Sequence, residues 1–198
     1  MKVGIINYGL GNISAFKFAF KKLNCNVIIA EKPNDIFDCS HLVLPGVGSF
    51  DYAISLLKSS ELIHSLTENV ITYRKPILGI CIGMQILFDS SEEGELKGLG
   101  WINGKVKKLN NTTPQQITLP HMGWNNIKEN KHNNKLCLNL NNKEFYFLHS
   151  FHCVPEDKSI IVSTTEYGQI FCSSIQSKNI SGCQFHPEKS HDSGLEIF

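Results

Sequence analysis

Short apolar runs alternate with helical periodicity from the first residues to about position 90, and this alternation constrains the fold more than anything else in the chain. Lys2 to Ile6 is a β-branched run followed by the turn Asn7-Tyr8-Gly9-Leu10-Gly11. Asn12 is then placed to cap a helix whose apolar residues Ile13, Phe16, Phe20 and Leu23 keep helical spacing. Val27 to Ala30, His41 to Leu44 and Pro76 to Ile80 read as further strands. Tyr52, Leu56, Leu57 and Ile63 mark helical segments up to Arg74, and Gly83 to Phe88 is expected to be a short helix. Strands alternating with helices predict an α/β fold, a parallel sheet covered on both faces.

The pattern changes after Ser90. Apolar runs shorten, and Phe145 to Leu148, Ser159 to Thr164, Gln169 to Ile175 and Ile180 to Phe185 each look like strands. Asn110 to Asn142 holds ten asparagines in thirty-three positions, which suits turns and solvated loops. With 198 residues and no internal repeat, a single domain over 1–198 is expected.

Charge narrows the function. Nineteen basic residues against eighteen acidic give a net +1, and Arg74 is the one arginine, so neither nucleic acid nor an anionic membrane is an expected partner. No apolar stretch is long enough to span a bilayer, and the first residues read as a strand rather than a secretory signal, which points to the cytoplasm. Seven scattered cysteines without a Cys-x-x-Cys pair argue against a disulfide framework or a zinc ribbon. Gly9-x-Gly11 with Glu31 imitates part of a dinucleotide fingerprint, but Ser14 stands where its third glycine belongs.

Gly79-Ile80-Cys81-Ile82-Gly83 is a stronger motif. Between an apolar strand and a helix start it has the form of a nucleophile elbow, with cysteine in place of serine. The sharp turn crowds its neighbours, which glycine tolerates, and a helix N-terminus under the thiol favours the thiolate. Gln184-Phe185-His186-Pro187-Glu188 ends a strand downstream, and an extended backbone sends His186 and Glu188 to one side, so that the carboxylate holds the imidazole tautomer while the imidazole exchanges a proton with sulfur. Acyl transfer also needs donors for a tetrahedral oxyanion. One is expected from the amide of Ile82, the other from the glycine-rich turn Pro45-Gly46-Val47-Gly48. His149 and His152 invite a metal reading, but residues three apart on a strand face opposite ways, so no metal is expected.

With these motifs assembled, the chain resembles the class I, triad-type glutamine amidotransferases, whose flavodoxin-like fold carries an additional antiparallel strand region. Pro45-Gly46-Val47-Gly48-Ser49-Phe50, Gly98-Leu99-Gly100-Trp101, Pro120-His121-Met122-Gly123-Trp124-Asn125, Tyr146-Phe147-Leu148-His149-Ser150 and His186-Pro187-Glu188-Lys189-Ser190 resemble, more narrowly, the glutaminase subunits of imidazole glycerol phosphate synthases. The resemblance implies that Cys81, His186 and Glu188 are catalytic. It implies oxyanion donors from Ile82 and from Val47 or Gly48, a loop that flips before donating, and substrate contacts from Gly46, Gln85, Ser150 and Phe151. Met122, Trp124, Tyr146 and Lys189 would face a cyclase subunit with a (β/α)₈ barrel, giving a heterodimer that passes ammonia into histidine biosynthesis with no cofactor in this chain. An amidating synthetase for bacterial surface sugars is the alternative acceptor. Two other classes compete. A peptidase or chaperone of similar fold often has its base directly after the nucleophile, where this chain has Ile82, and a non-catalytic regulatory subunit has no need of Cys81, His186 and Glu188.

Overall fold

A computed structural model describes residues 1–110, 117–130, 136–137 and 139–198. Part of the asparagine-rich segment therefore lies outside the described residues. The first half builds strands β1 (Lys2–Ile6), β2 (Asn26–Ala30), β3 (His41–Leu44) and β4 (Ile77–Ile80), interleaved with helices α1 (Ile13–Lys22), α2 (Pro33–Phe37), α3 (Phe50–Ser59) and α4 (Leu62–Thr67). Asn12 caps α1 as expected, its side-chain oxygen accepting from the Ala15 amide at 3.2 Å, and the helix buries Phe16, Ala19 and Phe20. The short α2 has no counterpart in the sequence pattern. No apolar period marks five residues, and its start is held by Asp35 Oδ2, which accepts from the Glu31 and Lys32 amides.

After β4 the chain makes α5 (Ile82–Gln85), β5 (Ser90–Ser91), β6 (Gly104–Lys108), β7 (His121–Asn126), β8 (Lys128–Glu129), β9 (Glu144–His149), β10 (Phe151–Pro155), β11 (Ile161–Tyr167), β12 (Gln169–Ser177), β13 (Ile180–Cys183) and α6 (His191–Leu195). Helix α5 is shorter than the expected Gly83–Phe88. The Leu87 and Phe88 amides reach back only three residues, to the Met84 and Gln85 carbonyls at 3.2 and 3.1 Å, so the chain tightens into turns, and the Leu99 and Trp101 amides take the carbonyls of Ile86 and Leu87.

The main sheet runs β2-β1-β3-β4-β13-β12-β11-β8. Pairing is parallel from β2 to β13 and antiparallel beyond it. Strands β10-β6-β5 form a second sheet, and β7-β9 a two-stranded antiparallel ribbon. The mostly parallel sheet with flanking helices and an antiparallel portion is the α/β arrangement read from the sequence. Because β4 and β13 are parallel neighbours, their C-terminal ends emerge at the same edge, and the segments after them are brought side by side.

The glycines of the partial dinucleotide fingerprint have local work. Gly9 and Gly11 adopt φ of +96° and +93°, and a Cβ on Gly11 would lie 2.7 Å from Pro45 Cβ. Glu31 accepts from Asn7 Nδ2 at 2.8 Å. Among the described residues no helix is long and apolar enough to cross a membrane.

Candidate active site

Cys81 sits at the turn between β4 and α5 with φ +54° and ψ −113°, a conformation that costs a non-glycine residue about 1–3 kcal/mol and persists only where the surroundings impose it. They do so here. The Cys81 amide donates to the Cys183 carbonyl at 2.8 Å, and its carbonyl accepts from the Met84 and Gln85 amides. A Cβ on Gly79 would lie 2.6 Å from the Gly83 carbonyl oxygen, and one on Gly46 would run into the Gly83 amide. The glycines are required by this close approach of three backbone segments. Ile82 is the first helical residue, so its N–H has no acceptor within the helix.

His186 follows β13. Its amide donates to the Tyr146 carbonyl at 2.8 Å, and Nδ1 lies 2.9 Å from Glu188 Oε1, both side chains 2% exposed. The expected pairing of His186 and Glu188 is present, but the backbone that makes it is a 3₁₀ turn over Pro187–Lys189 and not the continued strand that the sequence suggests. Pro187 starts that turn because its fixed φ suits a first helical position. Burial lowers the pKa of His186, while the Cys81 sulfur, by charge and hydrogen bonding, and the Glu188 carboxylate raise it, and the partners win, lifting it to about 10. Two further groups approach the sulfur: the Leu148 carbonyl at 3.9 Å and Gln184 Nε2 at 3.7 Å.

A cavity of about 300 Å³ opens over Cys81, lined also by Val47, Gly48, Ile82, Gln85, Glu93, Pro120, Leu148, His149, Ser150, Phe151 and His186. Eight of the ten catalytic, oxyanion and substrate residues expected from the sequence are in its wall. Glu188 stands behind His186, and Gly46 behind the elbow, where it acts as a spacer against Gly83. Tyr8 Oη donates to the Pro45 carbonyl at 2.7 Å and Glu93 Oε2 accepts from the Phe50 amide at 2.8 Å, so the stretch Gly46–Ser49 is pinned at both ends, with φ +90° at Gly48 between.

The expected partner-facing residues lie on the ribbon and beside it. Met122 and Trp124, 66% and 46% exposed, share the outer face of β7-β9 with Leu148 and Tyr146, to which they are paired in register. The Trp124 ring stacks on His191 at 5.1 Å, and Lys189 Nζ lies 5.5 Å over the Tyr146 ring.

Sequence reasoning missed Glu93 and Gln184. Glu93 is in a polar turn with nothing in its pattern to separate it from solvated neighbours. Gln184 had a signal: it is two residues before His186 on extended chain, hence on the same side. His149 and His152 invite a metal reading by residue type alone. His149 instead spends both ring nitrogens on Phe151 O and His121, and His152 Nε2 meets Gln169 Nε2 at 2.8 Å.

An elbow-borne cysteine, a histidine just after the neighbouring strand and a carboxylate behind it, on a mostly parallel sheet, define the class of cysteine-dependent α/β hydrolytic domains. The family model "Glutamine amidotransferase class-I" matches residues 5–196, and the chain belongs to that family. It is 45% identical over 196 residues to an imidazole glycerol phosphate synthase subunit HisH 2 of Methanococcus maripaludis, covering 98% of this chain and 96% of that protein. To the subunit HisH of Leptospira borgpetersenii it is 42% identical with the same coverage. Among solved structures, a glutamine amidotransferase aligns with TM-score 0.75 at 17% identity, over 98% of this chain and 94% of that one. A glutamine amidotransferase of Thermotoga maritima aligns with TM-score 0.68 at 18% identity, over 95% of this chain and 76% of that one, and at such identities the likeness concerns the fold.

Proposed function

We propose that this chain, as one domain over residues 1–198, is the glutaminase subunit of an imidazole glycerol phosphate synthase. It would hydrolyse glutamine and pass ammonia to a (β/α)₈ cyclase, in a cytoplasmic heterodimer that serves histidine biosynthesis. The observation that carries the chemistry is Cys81 and His186 in the wall of one cavity, with Glu188 behind His186 at 2.9 Å. The acceptor reaction is supported by the HisH relatives at 39–45% identity over nearly the whole chain. Seven free cysteines agree with a reducing compartment.

Cys81 attacks the side-chain carboxamide carbon of glutamine, forming the C–S bond, and the tetrahedral oxyanion is held by the Ile82 amide and by Val47 or Gly48. His186 gives its proton to the departing nitrogen, the C–N bond breaks and ammonia leaves. Water then attacks the thioester, His186 takes its proton and returns it to sulfur, and glutamate departs. Glu188 keeps Nδ1 protonated, so the other nitrogen always faces the reaction. Glu93, Gln85 and the Ser150–Phe151 backbone hold the amino-acid end.

Partner control has a physical route. The outer face of the ribbon offers Met122, Trp124 and Tyr146, while the backbone of β9 reaches the sulfur through Leu148 and His186 through Tyr146. A cyclase pressing on Met122, Trp124, Tyr146 and Lys189 therefore acts on the strand that walls the catalytic groups, and the Gly46–Ser49 stretch, pinned at its ends with Gly48 between, is where a peptide would turn toward the oxyanion. Ammonia released into water is protonated and lost as a nucleophile, which is why the acceptor has to be docked.

The test is reconstitution with the cyclase. Cys81→Ala is expected to abolish glutamine-dependent synthesis by at least about 10³-fold while synthesis from added ammonium survives. Equal loss of both activities, or full glutaminase activity of the wild-type chain without the partner, overturns the respective part of this reading.

A further inference from the structure

The inner face of the ribbon carries a hydrogen-bond chain whose direction is fixed at every step. Phe151 O can only accept, so His149 Nδ1, at 2.8 Å, is its donor. A neutral His149 then accepts at Nε2, and the donor there is His121 Nδ1 at 3.0 Å. His121 in turn accepts at Nε2 from Asn125 Nδ2 at 3.2 Å, and Asn125 Nδ2 also donates to the Glu166 carbonyl at 3.0 Å, which fixes its amide orientation. Both histidines are neutral near pH 7, because burial pushes His149 down to about 3 and His121 down to about 4.

The same Phe151 carbonyl accepts from Gln85 Nε2 at 3.0 Å, and the other Nε2 hydrogen goes to Gln184 Oε1 at 3.0 Å. Two acceptors thus hold the Gln85 amide one way round, and its Oε1 is left buried without a partner, on a residue that lines the cavity. A buried acceptor left open is costly unless something donates to it, and an amino acid's α-ammonium group is such a donor.

We propose that His149 and His121 are positioning residues for glutamine: by holding the Phe151 carbonyl they set the Gln85 amide so that its Oε1 receives the substrate's ammonium group. The inference rests on the glutaminase reading and adds to it the residues that build the amino-acid subsite. It also ties that subsite to the inner face of the β7-β9 ribbon, whose outer face carries Met122 and Trp124.

The experiment is glutaminase kinetics of the reconstituted complex with His149→Phe, His121→Phe and His149→Asn. His121→Phe keeps the stacking of ring 121 on Tyr167 and Phe147, which lie at 4.0 and 4.8 Å, but removes the donor to His149. In His149→Asn the amide nitrogen reaches the place of Nδ1 and still donates to Phe151. The expected result is a KM for glutamine raised about tenfold in both phenylalanine variants, the size of one net hydrogen bond, with KM changing more than kcat and His149→Asn restoring KM to within about threefold. Labelling of Cys81 by a glutamine-shaped diazoketone should slow in parallel, while alkylation by iodoacetamide, which has no amino-acid end, changes less. Where His149→Phe does not fold, His121→Phe and His149→Asn make the same comparison. Unchanged KM and diazoketone labelling, with only a lowered Tm, overturns the inference alone. A wild-type complex without glutaminase activity overturns the glutaminase reading and the inference with it.

Discussion

The Cys81 amide donates to the Cys183 carbonyl across 2.8 Å, so the strand that delivers the nucleophile and the strand that leads to the base end on one shared rung. The rung is tight because the elbow is glycine-lined. Gly79→Ala would place a Cβ 2.6 Å from the Gly83 carbonyl oxygen and 2.8 Å from Met84 Cα, both backbone atoms that cannot swing aside. The expected outcome is a loss of about 1–3 kcal/mol in urea unfolding, together with slowed alkylation of Cys81 by iodoacetamide. Wild-type stability and labelling in this variant would show that the elbow has room to spare.

His186 is held protonated above its ordinary range, and the sign of the consequence follows from linkage. A folded-state pKa raised from the usual value near 6.5 to about 10 contributes stability that is complete below about 6.5 and is lost as pH rises toward 10. Removing a partner shrinks that window from above. In imidazole NMR titrations, His186 of the wild type should stay protonated at pH 8, and Glu188→Gln should lower its pKa by at least about one unit. A titration unmoved by the substitution would mean the carboxylate does not govern the ring.

Glu93 is the one carboxylate among the described residues lining the cavity, and one of its oxygens is committed to the Phe50 amide. Glu93→Gln keeps the shape and removes the charge that would meet an α-ammonium group. The KM for glutamine should rise about 10–100-fold, the range of a hydrogen bond to a charged group. A KM within twofold of wild type removes Glu93 from the subsite.

Trp124 presents a large apolar ring, stacked on His191 and so ordered before any partner arrives. Trp124→Ala should weaken binding of the cyclase by about 2 kcal/mol or more, roughly thirtyfold in Kd, and lower partner-stimulated glutaminase activity at limiting cyclase. Unchanged affinity by calorimetry would move the interface off the ribbon.

Much of this was legible in the residues because it depends on local rules. Asn12 as a cap, the apolar strands from Lys2 to Ile80 and the glycines around Cys81 each state their conformation within a few positions. The pairing of Cys81 with His186 was readable only as a demand of chemistry, since no local pattern says that β13 inserts beside β4. What escaped was set by tertiary context. Helix α5 stops at Gln85, where the Leu87 and Phe88 amides turn to carbonyls three residues back and Leu99 and Trp101 tie the chain down from outside. Glu188 reaches His186 through a 3₁₀ turn that Pro187 begins. The separate hydrogen-bond systems of His149 and His152 are set by the packed ribbon and by Gln169, which no local pattern names.

The central claim, that Cys81 becomes acylated during turnover, is tested most directly by acid-quenching the reconstituted complex with glutamine and mapping the chain by mass spectrometry. A glutamyl adduct is expected on the peptide carrying Cys81, accumulating within the first turnover and absent in Cys81→Ala. Sustained release of ammonia with Cys81 unmodified, or an adduct on another of the seven cysteines, would contradict it.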